Sequence, residues 1–390
     1  MGKPSLRTKA SLTHHPDMNH FETLALLATR THDLNAGAVA TPIYLSTTFE
    51  RETDGTFAHG HIYSRASNPN RDQLEKVYAS LENGTIGIAF ASGQGATATI
   101  FQCLKPNDHV LLPDDSYHGT PALLEEILSI WGLTYSKVDM TDLAATHKAI
   151  KPNTRLIWIE TPSNPLLKIV DIEAICNLAR ANNAISVCDN TWATPVLIRP
   201  LDLGADVVMH STTKYFGGHS DLLSGALIFK ENGKLSEKAR RIQALCGAVP
   251  SPFDCWLLLR GIKTLALRVR QQSANALKLA QFLDNQVNIE KVWYPGLASH
   301  QNHDLAQKQM SAFGGMLSVQ VRGGMAEALA VVAKLKVFTR ATSLGGVESL
   351  IEHRASVEGP NSTTPQNLLR ISVGLEHADD LIMDFEQALL

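Results

Sequence analysis

Lys214, Asp189 and Glu160 each follow an apolar run, and their types suit chemistry on an amine. Lys214 stands in "HSTTKYFGGHSD", His210 to Asp221, directly after "ADVVM", which reads as a buried strand. A buried lysine must be neutral, paired or covalently used. Desolvation lowers its pKa and frees a nucleophilic amine, the starting point of Schiff-base chemistry. Asp189 ends the apolar part of "ISVCDN" and Glu160 ends "RLIWIE". One acid at a strand end is ordinarily a cap or turn residue. Two acids and a lysine at neighbouring strand ends point instead to a site.

A lysine, a partnering acid and a phosphate site best suit pyridoxal phosphate. Its ring nitrogen stays protonated to draw electrons from a substrate carbanion, and a buried Asp189 would hold that proton. Ser211 and Thr213 could donate hydroxyls to its phosphate. "ASGQGATAT", Ala91 to Thr99, offers a second cradle: a strand end, two glycines, then a helix N-terminus facing an anion. Taken alone, this glycine pattern is also what a tight turn needs. It lacks the G-K-[ST] ending of a P-loop and does not complete G-x-G-x-x-G.

The elements that must position these residues are legible as an alternation. "IGIAFA", "HVLLP", "RLIWIE", "ISVCDN", "DVVMHS" and "GALIFK" read as strands, separated by helical stretches such as "TPALLEEILSIWG" and "IVDIEAICNLARANN". This predicts an α/β fold with a mainly parallel sheet covered by helices on both faces, and ligands at the carboxyl ends of its strands. Residues 75–265 form this large cofactor-binding domain. Residues 266–390 read as a smaller α/β domain, with "NALKLAQFLDN", "AEALAVVAKLKVF" and "HADDLIMDFEQALL" helical and "GGMLSVQVRGG" and "LLRISVGLE" as strands. Residues 1–74, with the polar "IYSRASNPNRD", read as an arm that reaches onto something.

Composition narrows the functional classes. A chain with 44% hydrophobic and 19% charged residues is globular, and a net charge of −3 gives no sign of nucleic-acid or anionic-membrane binding. Any anionic ligand must be caught locally. The apolar stretches are too short to span a bilayer, and the basic start lacks an apolar core, so no secretory signal is expected. Five cysteines without a C-x-x-C pair favour reduced thiols and a cytoplasmic location. His59 and His61, and His14 and His15, lack a carboxylate or thiol set, so no metal site is expected. Asp114 and Asp115 read as turn or cap residues, and the tryptophans as core or interface residues.

The motifs "SNPNRDQLE", "ETPSNP", "DNTWATP", "HSTTKYFGGHSD", "SLGGVESL" and "LLRISVGLE" occur in an order that resembles the Cys/Met-metabolism family of pyridoxal-phosphate enzymes. That family includes cystathionine γ-synthase, cystathionine γ- and β-lyases and methionine γ-lyase. The resemblance runs from about residue 35 to the end and implies a fold-type I architecture. It implies that Lys214 is the Schiff-base lysine and proton shuttle, and Asp189 the partner of the pyridinium nitrogen. Ser211, Thr213 and the amides of Gly93 and Gln94 would hold the phosphate; family members usually carry Gly-Met at the latter pair. Tyr117 would stack on the cofactor ring and move protons, and Arg370 would clamp the substrate α-carboxylate. Asn164 and Ser343 would line the cofactor oxygen and that carboxylate. Tyr63 and Arg65 would reach a neighbouring subunit's phosphate, which implies a dimer within a homotetramer acting on small amino-acid substrates.

Within the family the reaction depends on the pocket around the distal substrate arm. Many cystathionine γ-lyases carry a glutamate where this chain has Ile62, and they and many γ-synthases carry another where it has Thr342. "TSLGG" also lacks the tyrosine and tryptophan of bacterial β-lyases, and Gly119 stands where methionine γ-lyases carry a cysteine. "SLGGVESL" leans toward the γ-synthase and γ-lyase branch. The expectation is therefore γ-elimination or γ-replacement on sulfur amino acids or O-acylhomoserine, with β-lyase or methionine γ-lyase as alternatives. The alternative from another class is a non-catalytic nucleotide-binding α/β protein using "SGQGATAT".

Overall fold

Strands apolar on both faces need cover on both, which only a central sheet between two helix layers provides. In the computed structural model, which describes residues 20–30, 33, 36–359 and 364–390, the larger sheet is built this way. Its strands are β1 (Ile86–Phe90), β2 (His109–Pro113), β3 (Thr134–Val138), β4 (Thr154–Glu160), β5 (Ile185–Asp189), β6 (Val207–His210) and β7 (Gly225–Phe229), in the order β1-β7-β6-β5-β4-β2-β3. Only β7 runs against the rest, pairing antiparallel with β1 and β6. One core, with Ile157, Cys188 and Val208, lies on one face; a second, with Leu156, Trp158 and Val187, lies on the other. The expected α/β architecture is present.

The second sheet is β8 (Ile289–Trp293), β9 (Met316–Val321), β10 (Thr339–Arg340), β11 (Leu350–His353) and β12 (Leu368–Ser372), ordered β10-β11-β12-β9-β8. It buries its own core, with Leu317, Ile371 and Phe385. Helices α1 (Phe21–Ala28) and α2 (Pro69–Leu81) pack on each other away from the crevice, and α3 (Gly93–Gln102) follows β1 and opens onto it. The 74/75 expectation falls inside α2, and residue 265 is the first residue of the helix Leu265–Asp284.

Some local readings differ. "TPALLEEILSIWG" is not one regular helix: after Gly119–Ala122 it widens to a π-type coil over Leu123–Leu128, tightens over Ser129–Trp131 and stops at Gly132 (φ +84°). The helix in "AEALAVVAKLKVF" stops at Lys334 because the next amides, Lys336 and Val337, are taken by the Asp384 carboxylate (2.9 and 2.7 Å). Trp131 is largely exposed, whereas Trp158 is fully buried. His14 and His15 lie outside the described residues. Among the described residues, no helix is long and apolar enough to cross a membrane.

Candidate active site

At one end of the large sheet, chain segments beyond β1, β4, β5 and β6 surround a crevice of about 340 Å³, and segments of the second sheet close its far side. Gly93, Gln94, Tyr117, Asn164, Asp189, Ser211, Thr213, Lys214, Ser343 and Arg370 all line it. Tyr63 and Arg65 do not.

Lys214 reaches the crevice because β6 ends at His210 and the chain turns, with the Lys214 amide donating to the Ser211 carbonyl (3.1 Å). Its Nζ donates to Ser343 Oγ (2.8 Å). Burial, with Arg370 nearby, pulls the amine down to about 8 from an ordinary lysine value. Ser343 is held at φ +94°, a region that residues with side chains rarely enter, and Arg370 Nη2 donates to its carbonyl (3.2 Å).

Asp189 and Glu160 are register partners on β5 and β4, so parallel pairing sets the two carboxyls side by side. Burial raises both pKa values; Glu160, repelled also by Asp189, lies well above the usual carboxylate range. Glu160 accepts the Tyr117 amide with both oxygens (2.9 and 3.0 Å) and so fixes the loop that carries the ring. Thr191 ties two strand ends together: its amide donates to Asp189 Oδ1 (3.0 Å), and its Oγ1 accepts the Ser211 amide (2.9 Å). In the buried layer beyond them, Glu82 Oε1 receives Asn190 Nδ2 (2.9 Å) and lies 2.6 Å from His210 Nε2.

α3 opens onto the same space. Ser92 caps it by accepting the Gly95 amide (3.0 Å), which leaves the earlier amides of the first turn free for an outside acceptor. A Cβ on Gly93 would sit 2.8 Å from Ser211 Cβ, so only glycine lets this turn approach the Ser211 hydroxyl. The Thr213 hydroxyl is shared with Ser224, accepting its amide (2.9 Å) and donating to its carbonyl (3.1 Å).

On the opposite wall, Arg370 of β12 faces Glu352 of β11 across the antiparallel pair, and its Nη2 lies 2.6 Å from Glu352 Oε1. Arg370 Nη1 donates to Asn164 Oδ1 (3.1 Å). A cation pinned between a carboxylate and an amide oxygen presents a fixed guanidinium to an anion in the crevice.

The Cys/Met metabolism PLP-dependent enzyme family matches residues 22–390. The chain belongs to this family. It is 46% identical over 383 residues to the cystathionine gamma-synthase of Mycobacterium tuberculosis, covering 97% of this chain and 98% of that one. It is 44% identical to the cystathionine beta-lyase of Coxiella burnetii over 382 residues, covering 95% and 98%. The crystal structure of metB from Corynebacterium glutamicum superposes with a TM-score of 0.93 at 44% identity, covering 96% of this chain and 98% of that one.

Membership makes the protein a pyridoxal-phosphate-dependent enzyme and sets aside the non-catalytic nucleotide-binding alternative. The residues present fit that cofactor. A buried, partly deprotonated amine, two crowded carboxyls that a protonated ring nitrogen would relieve, and a Gly93–Ser211 cradle share one crevice. Sequence reasoning did not single out Thr191 or Trp192, although both stand in the quoted "DNTWATP", nor His118, Glu352 or Arg354, which lie in or beside the crevice. The signal for Glu352 was a lone acid in the apolar "SLIEH", facing the lone arginine of "LLRIS".

Tyr63 and Arg65 project from the chain between α1 and α2. Tyr63 is exposed, and Arg65 Nη1 donates to the Ala244 carbonyl (2.7 Å). "SNPNRD" anchors this segment: Asn68 caps α2, Asn70 accepts the Tyr44 amide (2.8 Å), and Arg71 Nη1 donates to the Ser64 carbonyl (2.7 Å).

Proposed function

We propose that this enzyme works at Cγ, by γ-replacement on an O-acylhomoserine or γ-elimination from cystathionine. The observation that carries this reading is the "SLGGVESL" segment, whose Ser343 and Leu344 line the crevice, with the buried Lys214 amine, lowered in pKa, facing Ser343. Cγ chemistry needs two successive deprotonations, at Cα and Cβ, and a base able to take and return protons near neutral pH. The M. tuberculosis relative, named a cystathionine gamma-synthase, supports the choice of Cγ. The β-lyase alternative draws on the C. burnetii relative's name.

Pyridoxal phosphate, when bound, supplies the electron sink for charge developing at the substrate Cα. Lys214 would hold the cofactor and carry protons to and from the substrate. Asp189 holds the proton at the ring nitrogen. Tyr117, whose ring lines the crevice, would flank the cofactor and assist proton movement at the departing group. Ser211, Thr213 and the amides of Gly93 and Gln94 bind the phosphate. Arg370 binds the substrate α-carboxylate, with Asn164 and Ser343 orienting it. Residues 75–265 serve as the cofactor domain, 266–390 as the substrate wall, and 1–74 as an arm whose Tyr63 and Arg65 complete a second copy's phosphate site in a homotetramer. A cytoplasmic location is supported by the free thiols of Cys176, Cys188 and Cys255, all buried.

Product analysis tests the reaction. Cysteine plus an O-acylhomoserine should yield cystathionine, or cystathionine should yield α-ketobutyrate plus cysteine. Pyruvate plus homocysteine as the sole products from cystathionine would overturn the Cγ assignment in favour of the β-lyase.

A further inference from the structure

Arg370 is not the only guanidinium in the crevice. Arg354, directly after β11, lines it too, with His118, Thr342 and Val357. Its side chain is 3% exposed. Nε donates to Glu358 Oε1 (2.7 Å), Nη1 to Glu352 Oε1 (3.0 Å), and Nη2 lies 3.3 Å from His118 Nδ1. A guanidinium carries five N–H donors. These contacts occupy three, so two have no partner among the described residues. Such a buried cation would be costly without its two carboxylates, and with them it is rigid.

We infer that Arg354 is a specificity-determining residue that binds an anionic group, a carboxylate, on the outer arm of the amino-acid substrate. Glu352 Oε1 contacts both guanidiniums, Arg370 at 2.6 Å and Arg354 at 3.0 Å, so one carboxylate holds two cations in fixed relation. One cation takes the α-carboxylate and leaves the other for a second anion. His118 supports this. Its Nδ1 faces a guanidinium, which can only donate, so Nδ1 accepts from Arg354; burial, and next Arg354, also hold its pKa below the ordinary histidine value. Its own proton is then on Nε2, a further donor beside Arg354. Thr342, which lines the same crevice, is neutral and offers a distal ammonium no counter-charge. The crevice therefore favours an arm ending in a carboxylate alone, as in a succinylated homoserine, over an acetylated one. The inference rests on reading Arg370 as the α-carboxylate clamp.

The test compares cofactor-loaded wild type with Arg354→Gln and Arg354→Lys, reading binding from the visible absorbance of the cofactor. The ligands are two matched pairs without a leaving group: L-α-aminoadipate against L-norleucine, and L-α-aminosuberate against L-α-aminooctanoate. Each pair shares the α-carboxylate and chain length and differs only in a terminal carboxylate against a methyl. Arg354→Gln should weaken the better-binding dicarboxylate by roughly tenfold to a hundredfold more than its apolar match, as loss of a charge-assisted pair implies. Arg354→Lys should recover part of the difference. Equal weakening within each pair would reduce Arg354 to a structural residue and overturn the inference, as would a wild type without preference for the acids. If Arg354→Gln does not fold, Arg354→Lys carries the same asymmetry at smaller size, and its absence there is equally decisive. Wild type binding none of the four ligands would defeat the clamp reading and the inference with it. Since no ligand is turned over at Cγ, a failed product assay leaves this result standing.

Discussion

At the scale of single residues, the site is a matter of where protons rest. Lys214, lowered to about 8 by burial and Arg370, has roughly a tenth of its amine free at pH 7, against a negligible fraction for an ordinary lysine. On the proposed role, the free amine is the nucleophile. Cofactor capture by the apo-enzyme should therefore quicken as pH rises and level off above about 8, as stopped-flow absorbance would show. A rise that continues toward 10 would mean the amine is not perturbed. Lys214→Ala should abolish borohydride-stable attachment of the cofactor at this position. Asp189→Asn keeps shape and hydrogen bonding but cannot stabilise a protonated ring nitrogen. Cofactor should still bind while turnover drops at least tenfold, given that one charge-assisted pair is worth about 1.5–3 kcal/mol. Unchanged turnover would refute the pyridinium role.

Among elements, the decisive contacts are backbone approaches. Gly225 opens β7 beside the start of α3, and a Cβ there would run into the Ser92 carbonyl oxygen and come within 2.8 Å of Gly93 Cα. Gly225→Ala should push the α3 turn away from Ser211 and raise the cofactor Kd at least tenfold, measured by equilibrium dialysis, with far-UV circular dichroism unchanged. An unaltered Kd would show that the turn does not hold the phosphate. Elements of this kind divide what a sequence can disclose. Asp189, Glu160 and Lys214 were legible because strands buried on both faces are continuous apolar runs, and a polar residue at their ends stands out. The direction of β7 was not legible, since an antiparallel strand inside a covered sheet is as apolar as its neighbours. β3 and β8 were missed because their exposed residues, as in "TYSKV" and "IEKVW", dilute the apolar signal. Arg354 was passed over because a charged cluster such as "EHRASVE" looks like surface until the pairing of β11 with β12 shows it is buried.

For the whole molecule, the question is which chain completes which site. Tyr63 and Arg65 lie outside their own crevice, while Val39, Leu45, Ile62 and Tyr63 on the same segment are exposed. That suits a segment whose partner is a second copy, an association the sequence implied only through resemblance, because no periodicity or charge pattern encodes it. Lys214→Ala and Arg65→Ala should each be nearly inactive alone. Mixed by unfolding and refolding together, they should regain activity, because a hybrid holds one site with both residues intact. No recovery in verified hybrids would place Arg65 in its own chain's function. The crevice, finally, has two authors: the large sheet supplies the lysine, the carboxyls and the glycine turn, and the small sheet supplies both arginines. Descendants of one ancestor can therefore drift in diet without drifting in engine. On the proposed roles, substitutions along β11 and its following turn would change which amino acid is admitted and leave the lysine, carboxyls and glycine turn of the large sheet untouched.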